Sequence, residues 1–169
     1  MKVFLIGMPG SGKTTIGNTL ADMFGFKFHD LDRIIVKKAG LEINEIFSEY
    51  GEEHFREIER GLLTEKIESN EDFIMATGGG TPCYYNTMDL LKRKGTVVYL
   101  DVPIDELTNR LYQHSTDRPL LANKETISQD LSALVANRDS IFKQADIVLK
   151  GSNINAQQLY SILEDQTKN

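Results

Sequence analysis

Gly7-Met8-Pro9-Gly10-Ser11-Gly12-Lys13-Thr14 decides the fold. The stretch matches G-x-x-x-x-G-K-[ST] in full, a pattern with a physical meaning. Its glycines let the backbone curl so that successive N–H groups converge on an anion. The helix that follows adds the partial positive charge of its N-terminus. Lys13 can bridge outer phosphates, and the Thr14 hydroxyl can ligate Mg²⁺. The context agrees: Val3-Phe4-Leu5-Ile6 reads as a strand before the loop, and Ile16, Leu20, Met23 and Phe24 recur at helical spacing after it. Gly10, Ser11, Gly12, Lys13, Thr14 and Thr15 are therefore the candidates for holding a nucleoside triphosphate with Mg²⁺. Such a loop serves kinases, GTPase switches and motor ATPases alike, so the rest of the chain must choose among them.

Four more strand-like runs follow, at 26–28, 73–76, 97–100 and 146–149. Several are continuously apolar, as strands covered on both faces are. Helical patterns separate them, among them Ile104, Leu107 and Leu111, and Leu159, Ile162 and Leu163. Alternating strand and helix predicts an α/β fold with a parallel sheet and helices on both faces. Ligands in such folds bind at the carboxyl ends of the strands. The 169 residues suit a single domain, 1–169. The net charge, 19 − 25 = −6, argues against duplex nucleic acid as a partner. A single Cys, Cys83, excludes an internal disulfide and a cysteine zinc cage; it reads as a small buried hydrophobe. The longest apolar runs fall well short of a membrane span. The expectation is a cytoplasmic protein with no membrane partner.

Beyond the second strand stand Asp30 and Asp32. One carboxylate there can hold Mg²⁺ and the other orient or deprotonate an acceptor hydroxyl; equally, one can cap the helix that begins nearby. Arg138 falls on the apolar stripe formed by Ile127, Leu131, Leu134, Val135, Ile141 and Phe142. An inward Arg needs an anion, either an internal carboxylate or a bound one. Arg56, by contrast, lies off the Phe55/Ile58/Leu62 stripe, and phase alone places it on the surface. Gly78-Gly79-Gly80 ends the third strand, as a plain turn or as bare N–H groups for close approach of a ligand. No Asp closes that strand and no Asn-Lys-x-Asp occurs, which lowers any GTPase reading. Arg118 stands in a polar stretch between two helical patterns, a passive loop or a lid of about 112–124.

Together these residues resemble the shikimate kinase family, nearly end to end. The resemblance rests on the P-loop, Asp30-Leu31-Asp32, Phe55-Arg56-Glu57-Ile58-Glu59, the glycines 78–80, Arg118-Pro119-Leu120-Leu121 and Arg138. It implies a nucleoside-monophosphate-kinase-like three-layer α/β/α fold, with a five-stranded parallel sheet in the order 2-3-1-4-5. It implies ATP with Mg²⁺ and shikimate as substrates, shikimate 3-phosphate as product, and a place in aromatic amino acid biosynthesis. Carried over by position, Lys13, Asp32 and Arg118 would be catalytic, with Thr14 and Asp30 at the metal. Asp32 would hold the acceptor hydroxyl, Arg56 and Arg138 its ring carboxylate, and Gly79 and Gly80 its face, with a substrate-binding helical segment over about 31–62. Arg110 would flank the adenine, and Arg118 would close on the nucleotide. On Arg56 the resemblance contradicts the phase reading.

Two other functions compete. A gluconate kinase shares the P-loop but would lack the Arg56/Arg138 pair. A non-catalytic ATP sensor need not keep an acceptor-side carboxylate such as Asp32. The resemblance, and the lack of a heptad seam, favour a monomer.

Overall fold

The computed structural model describes residues 1–114 and 124–167. Arg118 and most of the expected lid lie outside the described residues. The chain opens with β1 (Lys2–Ile6), α1 (Lys13–Phe24), β2 (Lys27–Asp30), α2 (Leu31–Ala39) and α3 (Ile43–Ile67). It continues through β3 (Phe73–Ala76), a 3₁₀ turn (Thr81–Cys83), α4 (Thr87–Lys94) and β4 (Thr96–Asp101). It closes with α5 (Ile104–His114), α6 (Lys124–Phe142), β5 (Ile147–Lys150) and α7 (Ala156–Thr167).

All strand pairs are parallel, and the sheet order is β2-β3-β1-β4-β5. The expected order 2-3-1-4-5 is therefore observed. β1 runs in the middle, with Val3 opposite Ile74 of β3 and Thr96 of β4. Side chains alternate across a strand, which here makes two cores. Val3 and Leu5 pack with Ile16 and Leu20 of α1 and with Leu159 and Leu163 of α7. Phe4 and Ile6 face the other way, toward Leu31, Phe55, Leu63, Leu91, Leu131 and Phe142. Helices thus cover both faces. Among the described residues, no helix is long and apolar enough to cross a membrane.

Two strands are shifted from expectation. β2 begins at Lys27 rather than at 26, because Phe26 N–H donates to Ala21 O at 2.9 Å and so closes α1. β5 begins at Ile147 rather than at 146, where the Asp146 side chain instead accepts from Val97 N–H at 2.8 Å. Within α3, Gly51 (φ 84°, ψ 171°) breaks the helical path; such a φ favours glycine. Cys83 is only half-buried, packed on the edge of the larger core.

Candidate active site

The P-loop links β1 to α1. Gly10 and Gly12 take φ of 79° and 92°, which turn the chain sharply before Lys13 opens the helix. Lys13 Nζ lies across the loop and donates to Gly7 O at 2.9 Å and Met8 O at 3.0 Å. Burial lowers its pKa to about 8, against the opposing pull of Asp32 and Asp30. Ser11 Oγ is buried in the cradle with no hydrogen-bond partner among the described residues. A cradle of turned backbone, an orphaned hydroxyl and a desolvated lysine suits a polyanion.

A cavity of about 510 Å³ opens on this loop. Its lining contains Gly10, Ser11, Gly12, Lys13, Thr14 and Thr15, together with Asp30, Asp32 and Arg110. Every described candidate for nucleotide and metal is therefore brought to one place. Arg110 of α5 donates to Glu106 at 2.8 Å, to Gly10 O at 3.3 Å and to Ser152 O at 2.8 Å. It thereby ties the P-loop to the segment after β5.

Asp30 caps α2 and also meets the P-loop helix. Its Oδ1 accepts from Arg33 N–H at 3.3 Å as the cap of α2, while its Oδ2 accepts from the Thr14 hydroxyl at 2.7 Å. Among the described residues no cluster of three or more His, Cys, Asp or Glu could hold a metal unaided. A hydroxyl and one carboxylate facing a phosphate cradle are the donor set suited to Mg²⁺, which keeps several waters and shares phosphate oxygens. Asp32 follows in the first turn of α2. Burial foremost, then Asp30 and Glu59, push its carboxyl above the usual carboxylate range.

Of the acceptor-side candidates Asp32 lines this cavity, while Arg56, Gly79, Gly80 and Arg138 stand beyond its lining at the turn after β3. Gly78, Gly79 and Gly80 do not take positive φ; close approach explains them. A Cβ on Gly78 would sit 2.9 Å from Asp32 Oδ1 and 3.0 Å from Glu59 Oε1. On Gly80 it would sit 2.6 Å from Arg56 Nη2. Arg138 of α6 is half-buried and donates to Gly79 O at 2.8 Å. Among the described residues it has no carboxylate within ion-pair distance to account for its inward position.

Arg56 is buried, 7% exposed, contrary to its phase on the apolar stripe. The inward face of α3 is wider than its apolar stripe: Arg56, Glu59, Leu63 and Ile67 form one buried line whose first two members are charged. Glu59, 3% exposed, accepts from Arg56 Nη1 at 2.8 Å and from the Thr81 hydroxyl at 2.6 Å. Removing one partner of such a buried pair costs about 3–5 kcal/mol. Sequence reasoning did not place Glu59, Thr81, Glu52, Tyr84 or Thr77 at the site. The i,i+3 spacing of Arg56 and Glu59 was the available signal for the first.

Comparison with known proteins gives a consistent answer. The family model described as shikimate kinase matches residues 9–167. A shikimate kinase of Azobacteroides pseudotrichonymphae is 42% identical over 149 residues, covering 87% of this chain and 88% of its own. That of Parabacteroides distasonis is 41% identical over 151 residues, covering 89% and 84%. Among solved structures, shikimate kinase from Bacteroides thetaiotaomicron superposes with a TM-score of 0.90 at 29% identity, covering 100% of this chain and 99% of that one. Shikimate kinase from Acinetobacter baumannii, in complex with shikimate, superposes with a TM-score of 0.84 at 33% identity, covering 98% and 92%.

Proposed function

Because the chain belongs to the shikimate kinase family, we propose that its site transfers the γ-phosphoryl group of ATP to the 3-hydroxyl of shikimate, with the residues divided as follows. The P-loop amides, Ser11, Lys13 and Thr15 hold the phosphates, and Arg110 borders the nucleotide where α5 meets the segment after β5. Thr14 and Asp30 hold Mg²⁺, which neutralises charge on the phosphates when bound. Asp32 accepts a hydrogen bond from the acceptor hydroxyl and aims it at the phosphorus. Arg56 and Arg138 take the acceptor's carboxylate, with Gly79 and Gly80 beneath its ring. Arg118, outside the described residues, completes the charge around the transferred group.

The observation that carries this reading is the pairing of two arginines across the glycine turn. Arg56 comes from α3 and Arg138 from α6, and they lie against Gly80 and Gly79. An acceptor bearing a carboxylate is what two converging guanidinium groups select. An ATP sensor has no use for this pair, and a gluconate kinase would lack it. The reading takes the protein as a monomer that works without nucleic acid or membrane.

The test is ADP release measured with shikimate, with gluconate and with no acceptor. Shikimate-dependent release alone is expected. Release with gluconate, or none with any acceptor, would sink the assignment.

A further inference from the structure

The guanidinium of Arg56 has two edges in very different settings. Nη1 is committed to Glu59, in a pair with side chains 8% and 4% exposed. The Nε/Nη2 edge is shared with Glu52, whose single Oε1 accepts both N–H groups at 3.3 Å. The Glu52 side chain is 50% exposed. The same oxygen accepts from the Tyr84 hydroxyl at 2.7 Å, and the Arg56 guanidinium lies over the Tyr84 ring at 4.1 Å. The Tyr84 hydroxyl foremost, and then Arg56, hold the Glu52 carboxyl below its usual range.

We propose that Glu52 competes with the acceptor's own carboxylate for the outer edge of Arg56, and that the Tyr84 hydroxyl sets how firmly Glu52 holds that edge. The inference rests on the reading that Arg56 meets the acceptor's carboxylate. Three carboxylates crowd this side of the site against two guanidinium groups: Asp32, Glu59 and Glu52 against Arg56 and Arg138. An incoming carboxylate makes the charge balance worse unless one of the three withdraws. Glu59 cannot, being buried and fixed by Arg56 and Thr81. Asp32 is half-buried beside Gly78 and lines the nucleotide cavity. Glu52 can turn into water, where a carboxylate is well solvated, and its two contacts with Arg56 are long and share one oxygen. A bidentate carboxylate on the same edge makes the better pair. Glu59 alone is enough to fix the orientation of Arg56, so Glu52 is not needed to position it.

Glu52→Gln keeps the shape, and its amide oxygen can still accept from Tyr84, but the competing charge is gone. The KM for shikimate should fall by about two- to fivefold, the scale of a half-exposed ion pair. kcat and the KM for ATP should stay unchanged. The gain should vanish with an analogue carrying a carboxamide in place of the carboxylate. Tyr84→Phe keeps the ring under Arg56 and loosens Glu52, so the same KM should fall by about twofold; this variant carries the test alone if Glu52→Gln does not fold. A raised or unchanged KM for shikimate, or an equal gain with the carboxamide, overturns the proposal. Wild-type protein that does not phosphorylate shikimate at all overturns the acceptor reading and this inference with it.

Discussion

The Thr14 hydroxyl donates to Asp30 Oδ2 at 2.7 Å, so the first turn of α1 is joined to the carboxyl end of β2. Sixteen positions separate the two residues in the chain, and the bond makes one oxygen-rich corner beside the phosphate cradle. If that corner serves the metal, Asp30→Asn should raise the Mg²⁺ concentration for half-maximal rate by about 10–100-fold. Asn can keep its oxygen for Arg33 N–H and turn its amide nitrogen to the Thr14 hydroxyl, which accepts as well as donates, so the melting temperature should change little. An unaltered Mg²⁺ dependence would remove Asp30 from the metal shell.

Asp32 should behave differently. Asp32→Asn is expected to lower kcat by about 10²–10⁴-fold while leaving Mg-ATP binding nearly intact. Because burial and its acidic neighbours raise this carboxyl, the acid limb of kcat/KM should lie above the usual carboxylate range, with activity gained as pH rises through it. The Asn variant should lose that limb. A small loss of kcat with a raised KM for shikimate would instead make Asp32 a positioning group, as loose phosphoryl transfer allows.

Lys13 titrates near pH 8 in this setting because burial disfavours its charge. Nucleotide phosphates favour the charged form, so binding must draw a proton onto Lys13 at pH values where it is partly neutral. Calorimetry of ADP binding in buffers of different ionisation enthalpy should show proton uptake that is small at pH 7 and grows through pH 8.5. Lys13→Met should abolish the lysine's share, and phosphoryl transfer with it, while the fold persists. Uptake that is the same in the variant would mean that another group takes the proton.

Arg138→Ala should weaken shikimate by about 2–5 kcal/mol and ATP hardly at all. An acceptor without the carboxylate should bind wild-type protein with a similar loss, and the variant with much less additional loss. Equal penalties in both proteins would show that Arg138 meets some other part of the complex.

His29 in β2 places Nε2 where, among the described residues, nothing accepts from it or donates to it, edge-on to Phe73 with centroids 5.4 Å apart. Burial first, then Lys66, lowers its pKa below the ordinary 6.5. Between that lowered value and 6.5 the unfolded chain binds more protons than the folded one, so stability falls as pH drops through the window. His29→Leu should remove this dependence. Its stability relative to wild type should be better at pH 5 than at pH 8, as read by urea denaturation. A constant difference at the two pH values would contradict the lowered pKa.

The nucleotide half of the site was legible because its residues are consecutive or close to strand ends. Gly7 to Thr15 carry their meaning in spacing alone, and Asp30 and Asp32 stand where a second parallel strand must deliver them. The inward phase of Arg138 could also be read, since its apolar neighbours on α6 form a recognisable stripe. Arg56 could not, because apolar periodicity counts only apolar residues. The buried line of α3 begins with a cation and an anion, and two charged residues that satisfy each other look from the sequence like a wet surface.

The P-loop, the alternation of strand and helix and the parallel sheet all follow from local pattern and backbone chemistry. The surroundings of Arg56 and Arg138 follow from packing instead. Glu52 and Arg56 come from α3, Tyr84 from the segment after the 3₁₀ turn and Arg138 from α6, so their contacts depend on how helices pack over the sheet. Glu52, Arg56 and Glu59 share α3, but the partners that fix the two carboxylates, Thr81 for Glu59 and Tyr84 for Glu52, come from the segment after β3. Burial then sets the strength of each pair, leaving Glu59 fixed to Arg56 and Glu52 free to turn toward water.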